Sequence, residues 1–166
     1  STGKESPKNA RLMEGMWVIC TSFPDPRIWN NRVSALAGTA RSTGVLAAAA
    51  SVAVSEATIY GLKPIKGATD FLYRADKRLA EGEVLEQIIK AELKQYRSVY
   101  GYGRPLVTGD ERVEPMMDFA CSIGCGEGKY IKLAFAVAEY LSNSRFKSQI
   151  NIAAVCAGLL ADEGLK

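Results

Sequence analysis

Histidine is absent from all 166 residues of this chain. That absence excludes imidazole as a general base, as a neutral hydrogen-bond donor and as a metal ligand. Cysteine is sparse, at Cys20, Cys121, Cys125 and Cys156. Cys121 and Cys125 have C-x3-C spacing rather than the C-x2-C of a zinc ribbon, and without histidine a zinc site would need all four thiols. No metal site is therefore expected, and reduced thiols in a cytoplasmic protein are the expected state. Neither sign of charge dominates. There are 21 Lys and Arg against 18 Asp and Glu, a net +3, with no basic stripe of the kind that grips nucleic acid. Long apolar runs are missing too. The most apolar stretch, Val45 to Val54, is too short and too rich in alanine for a bilayer, which takes about 20 residues. Nothing at the N-terminus reads as a secretory signal, no segment alternates as a strand does, and no internal repeat is found.

What is present reads as helices, with enough apolar residues, 48%, for one domain with its own core. Residues 1–9 read as a polar end. Leu12, Met16 and Ile19 at helical spacing predict a helix from Ala10 to Cys20, stopped by Pro24 and Pro26. Asn30 or Asn31 is placed to cap the next element. Residues 32–57 predict one or two helices broken near Ser42-Thr43-Gly44. The alanine-rich part, 45–57, is apolar all round and belongs between other elements, either inside one subunit or at the seam of a homodimer. Gly61 to Gly67 reads as a loop and Asp70 to Leu79 as a short helix. Glu83 to Arg97 is an amphipathic helix, with Leu85, Ile88, Ile89, Leu93 and Tyr96 on one face and Glu86 paired with Lys90 on the other. Val113 to Ile123, Lys129 to Leu141 and Ile150 to Leu160 complete an all-α chain of about seven helices.

Between two of these helices lies YGYGRPLVTGDER, residues 100–112. A connector needs a Gly or a Pro to turn; it does not need Gly101 and Gly103 around a tyrosine, then Arg104-Pro105, then an acidic pair before Arg112. Gly101-Tyr102-Gly103-Arg104-Pro105 followed by Asp110-Glu111-Arg112 resembles the G-[FY]-G-H signature and following D-P-R of the citrate synthase family. Gly61-Leu62-Lys63-Pro64-Ile65-Lys66-Gly67-Ala68 is similar to that family's G-P-L-H-G-G-A-N loop. Gln149-Ile150-Asn151-Ile152, with Ala161 to Leu165, resembles its P-N-V-D-F helix ending in A-L-G-I. The order of the three segments is more specific than any one of them.

The resemblance implies a citrate-synthase-like helical fold present in part. Residues 1–60 would come from a large helical domain, 61–150 would form the small domain, and 151–166 a helix returning toward the large one. The chain would begin inside the large domain and stop before the family's C-terminal helix. The implied chemistry is a Claisen-type acyl transfer between an acyl-CoA and a carboxylic or oxo acid, with no resident cofactor, in a homodimer joined through 45–57. It needs a carboxylate base and donors aimed at developing oxyanions. Here the family's catalytic groups are replaced: Lys66 and Arg104 stand at two histidine positions and Asn151 at the catalytic aspartate. Phe23 stands at a substrate-contacting histidine. Arg112 matches a carboxylate-binding arginine, and Gly101, Tyr102 and Gly103 match the CoA loop. Asn151 has the shape of aspartate but cannot take a proton, and Arg104 stays charged. Three readings follow: a divergent acyl-CoA-dependent transferase, a non-catalytic binding or regulatory relative, and a helical interaction module. For single residues the plainer roles are a surface ion pair for Arg112, a solvated Lys66, a helix cap for Asn151, and packing for Tyr100 and Tyr102.

Overall fold

The computed structural model describes residues 6–21, 28–57, 61–103 and 109–165. Among these are eight α-helices, one 3-10 turn and no strand. They divide into two compact units, residues 22–64 and the remainder.

The smaller unit is a hairpin of α2 (Trp29–Thr39) and α3 (Gly44–Ala53), extended by a 3-10 turn at Val54–Glu56. The chain reverses through Arg41 at φ +57°, and Thr43 caps α3 by accepting from the Leu46 amide. The break expected near 42–44 is therefore real and has a physical cause. The asparagine cap is not there. Ile28 occupies the position before α2 and makes no side-chain bond, while Asn30 lies inside the helix and donates across the hairpin to the Ser51 carbonyl. Ser34 and Ser51 share a hydroxyl bond of 2.8 Å on the same seam. Small side chains let the two helices approach. Their other faces carry Leu36, Val45, Leu46 and Val52, all exposed, Val45 to 79%.

In the larger unit, α1 (Pro7–Thr21) begins three residues before the expected Ala10. Proline suits a first helical position, where its missing N–H has no partner to lose. The expected loop at Gly61 to Gly67 is also corrected: α4 (Leu62–Ala80) already includes all of it beyond Gly61. Pro64 lies in the first turn, where no amide is needed for the helix ladder. Gly67 lies inside the helix, and the position takes glycine because a Cβ there would fall 2.3 Å from the Tyr100 ring.

The helix expected around Glu83 to Arg97 is α5 (Leu85–Tyr96), which turns Ile88 and Ile89 inward and pairs Glu86 with Lys90. Tyr96 departs from its expected face and is 52% exposed. Buried Glu92 instead receives both guanidinium nitrogens of Arg74 at 2.8 Å, clamping α5 to α4. α6 (Val113–Ser122) and α7 (Lys129–Asn143) follow.

The last helix, α8 (Ile152–Asp162), is buried on every side from Ile152 to Leu159. It is the apolar-all-round helix of this unit. One cluster packs against Ala154 and Ala157 and contains Phe71, Leu72, Ile88, Ile89, Val137 and Leu141. Another joins Leu12, Met16, Met116 and Ala120 to Val155 and Leu159. Gly158 lets α7 come close, since a Cβ would meet the Ile131 Cα at 2.9 Å. At the far end Asp162 accepts from the Tyr130 and Ile131 amides at 2.8 and 3.0 Å, filling the N-terminus of α7 with a carboxylate.

Candidate functional site

The glycine loop, Asn151 and the Asp110–Arg112 pair meet at the N-terminus of α8. The first is the glycine loop. Gly101 and Gly103 both have φ near +87°, recorded as +87° and +86°. The loop pairs with the residues before α8: the Gly103 amide donates to the Gln149 carbonyl at 2.7 Å and the Asn151 amide to the Gly101 carbonyl at 2.9 Å. Gly101 is required by this docking, because a Cβ would lie 2.5 Å from that of Ala154. The close approach at Gly101 is made to α8. Tyr102 turns inward, is buried, and donates its hydroxyl to the Ala134 carbonyl at 2.9 Å. Burial raises its phenol far above the ordinary value. Its side chain packs, and its amide donates to the Val99 carbonyl at 3.2 Å.

The second part is Asn151. Its Oδ1 accepts from the Ala153 amide at 2.9 Å and its Nδ2 donates to the Gly103 carbonyl at 3.0 Å. The residue is both the cap of α8 and a staple for the loop. An aspartate could cap the helix, but an ionised carboxylate could not donate to Gly103, so the amide fits this arrangement.

The third part is Asp110 with Arg112. Arg112 Nε and Nη2 each donate to Asp110 at 2.8 Å, and the carboxylate also accepts from the Ile152 amide at 3.0 Å. The Asp110 side chain is 1% exposed and that of Arg112 30%. This is no surface ion pair. Burial works to raise the Asp110 carboxyl, but the guanidinium and the Ile152 amide outweigh it and hold the group below the usual carboxylate range. The Nη1 edge of Arg112 has no partner among the described residues. An open groove of about 550 Å³ runs beside Asp110, lined by Val113, Phe135, Ala138 and Ile150, with Glu114 and Glu139 on its rim.

Two thiols sit against this network. Cys20, at the end of α1, and Cys156, in α8, have sulfur atoms 4.0 Å apart. The bond from Cys156 lowers the Cys20 thiol against the opposing effect of burial, and the Arg112 guanidinium adds to it, bringing Cys20 to about 7. The same bond, with burial, pushes Cys156 up.

Of the residues picked out by sequence, the structure joins Gly101, Tyr102, Gly103, Arg112 and Asn151 in one place. Lys66 is not in that network: its ammonium is exposed and bonds Asp70 one turn away at 2.8 Å. Arg104 and Phe23 lie outside the described residues. Asp110 was read only as part of the motif before Arg112, and Cys20 and Cys156 were not among the picks. Asp110 had a signal in its spacing to Arg112; the cysteines, 136 residues apart, had none. No cluster able to hold a metal ion occurs among the described residues, and no described helix is long and apolar enough to cross a membrane.

No family model matches the chain, and no curated protein does. Among solved structures it is similar to a citryl-CoA lyase from Hydrogenobacter thermophilus, with a TM-score of 0.77 and 21% sequence identity. The superposition covers 97% of this chain and 61% of the lyase, so the chain spans less than two thirds of its neighbour's length. Helix order, the absence of strands among the described residues and this superposition together give the chain an all-α, citrate-synthase-like fold.

Proposed function

We propose that this chain binds a CoA thioester together with a small carboxylic acid, and that Arg112 receives the acid. The observation that carries this is the arginine itself. One edge of its guanidinium is fixed by a buried carboxylate and the other is open, the arrangement that gives bidentate anion contacts without ordering a free side chain. The adjoining groove has acidic residues on its rim, so its apolar walls suit a chain rather than an anion. The neighbouring fold is that of a lyase named for citryl-CoA, which supports both ligand classes.

Binding without the family's proton transfer is favoured by Asn151. Both ends of its amide are engaged, and neither can accept a proton from carbon. A Claisen-type acyl transfer would need a base outside the described network. Removing one oxyanion donor costs on the order of a hundredfold to a thousandfold, and here two histidines and the aspartate are replaced together.

Titration calorimetry with CoA, acyl-CoAs and di- or tricarboxylates, beside a thiol-release assay, tests the reading. Arg112→Gln is expected to weaken carboxylate binding by about tenfold to hundredfold, the worth of hydrogen bonds to a charged group. CoA binding should change less. Unaltered carboxylate affinity in a folded Arg112→Gln protein, or no binding of either ligand class by the parent chain, overturns it. Thiol release at ordinary enzyme rates by the parent chain overturns the non-catalytic half alone.

A further inference from the structure

Cys20 and Cys156 form a pair that the ligand reading does not use. They come from the last turn of α1 and the second turn of α8, with sulfur atoms 4.0 Å apart. A disulfide needs about 2.0 Å, so closure requires a movement of about 2 Å, within reach of a side-chain rotation at a helix end. Cys20 is half-buried and Cys156 fully buried, so a small reagent meets Cys20 first. The two sulfurs are also unlike in kind. Cys20 is held toward the thiolate by Cys156 and Arg112, whereas Cys156 keeps its proton. One attacking and one resolving thiol is the division that two-step oxidation uses.

The geometry points to Cys20 and Cys156 as an oxidisable dithiol site that takes hydroperoxides and closes to a disulfide tying α1 to α8. In the first step the Cys20 thiolate attacks one peroxide oxygen and the O–O bond breaks. Cys20 becomes a sulfenic acid, and the departing alkoxide or hydroxide takes a proton. In the second, the Cys156 sulfur attacks the Cys20 sulfur. The S–O bond breaks, the S–S bond forms, and the Cys156 proton leaves with the hydroxyl as water. Two thiols lose two electrons in all, and the peroxide is reduced to water and an alcohol, or to two waters.

The test treats the full chain with hydrogen peroxide, alkylates the remaining thiols and maps the peptides by mass spectrometry. The expected product has lost about 2 Da, is restored by dithiothreitol, and links the Cys20 peptide to the Cys156 peptide while Cys121 and Cys125 remain alkylated. In Cys156→Ser, Cys20 should be trapped by dimedone as a sulfenic acid. As a check that does not depend on that variant folding, Cys20→Ser should consume peroxide at least about tenfold more slowly than the parent chain. A Cys121–Cys125 link, a link between chains, or full alkylation of Cys20 and Cys156 after peroxide overturns the proposal.

Discussion

The carboxylate of Asp110 serves Arg112 Nε, Arg112 Nη2 and the Ile152 amide while almost wholly buried. Removing it leaves the partly buried guanidinium without its partner and the first amide of α8 unsatisfied. Asp110→Ala is expected to destabilise the fold by about 3–5 kcal/mol, the range for breaking a buried pair by deleting one member. Denaturant unfolding measures it, and a loss below about 1 kcal/mol would place the pair among ordinary surface pairs. The pH dependence has a definite sign. The folded carboxyl lies below its unfolded value of about 3.9, so its stabilisation is fully present above that pH and is lost as pH falls through the folded value. Asp110→Asn should remove this share of the acid loss, seen as a flatter stability curve below about pH 4.

At the scale of elements, the contact between the glycine loop and α8 can be separated from backbone strain. Gly101 has both a positive φ and a neighbour where its Cβ would go; Gly124 has a positive φ of +74° and open space. Gly101→Ala should cost about 3 kcal/mol from strain plus overlap with Ala154, and Gly124→Ala only about 1 kcal/mol from strain. Equal losses in thermal or denaturant unfolding would count against the docking described here. Two other elements, α5 and α4, show what a sequence can reveal. α5 was legible because Leu85, Ile88, Ile89 and Leu93 recur at the helical period. The start of α4 was not, because Pro64 and Gly67 look like breakers until the first turn and the Tyr100 ring are in place. In the site, Arg112 and Asn151 were legible through motif order. The Asp110–Ile152 bond and the Cys20–Cys156 pair were not, since partnerships across 42 and 136 residues leave no periodic trace. Tyr102 was read as part of a CoA loop through the resemblance, with packing as its plainer role; its hydroxyl bond to the Ala134 carbonyl holds it inside.

For the whole molecule, the exposed face of the α2–α3 hairpin sets the main question of assembly. Leu36, Val45, Leu46 and Val52 are large apolar side chains left in water by the smaller unit as it stands. We propose a second copy of the chain as their cover, because the alanine-rich segment 45–57 is expected inside one subunit or at a homodimer seam and its small residues permit close helix approach. Sedimentation should give a dimer for the parent chain and a monomer for Leu46→Lys, which places a charge on the exposed face without touching the Ser34–Ser51 seam. A monomeric parent chain at micromolar concentration would remove the dimer reading.

α8 is held at both ends by acidic side chains from opposite directions of the chain. Asp110 grips its first amide, and its own Asp162 grips the start of α7. Sliding this rod lengthwise by one turn, about 5.4 Å, would break both anchors at once. The larger unit can therefore breathe by peeling its outer helices but not by shifting its axle. Amide exchange offers a direct view: protection from Val155 to Leu159 should vanish only with complete unfolding, while α1 and α5 open earlier and more cheaply.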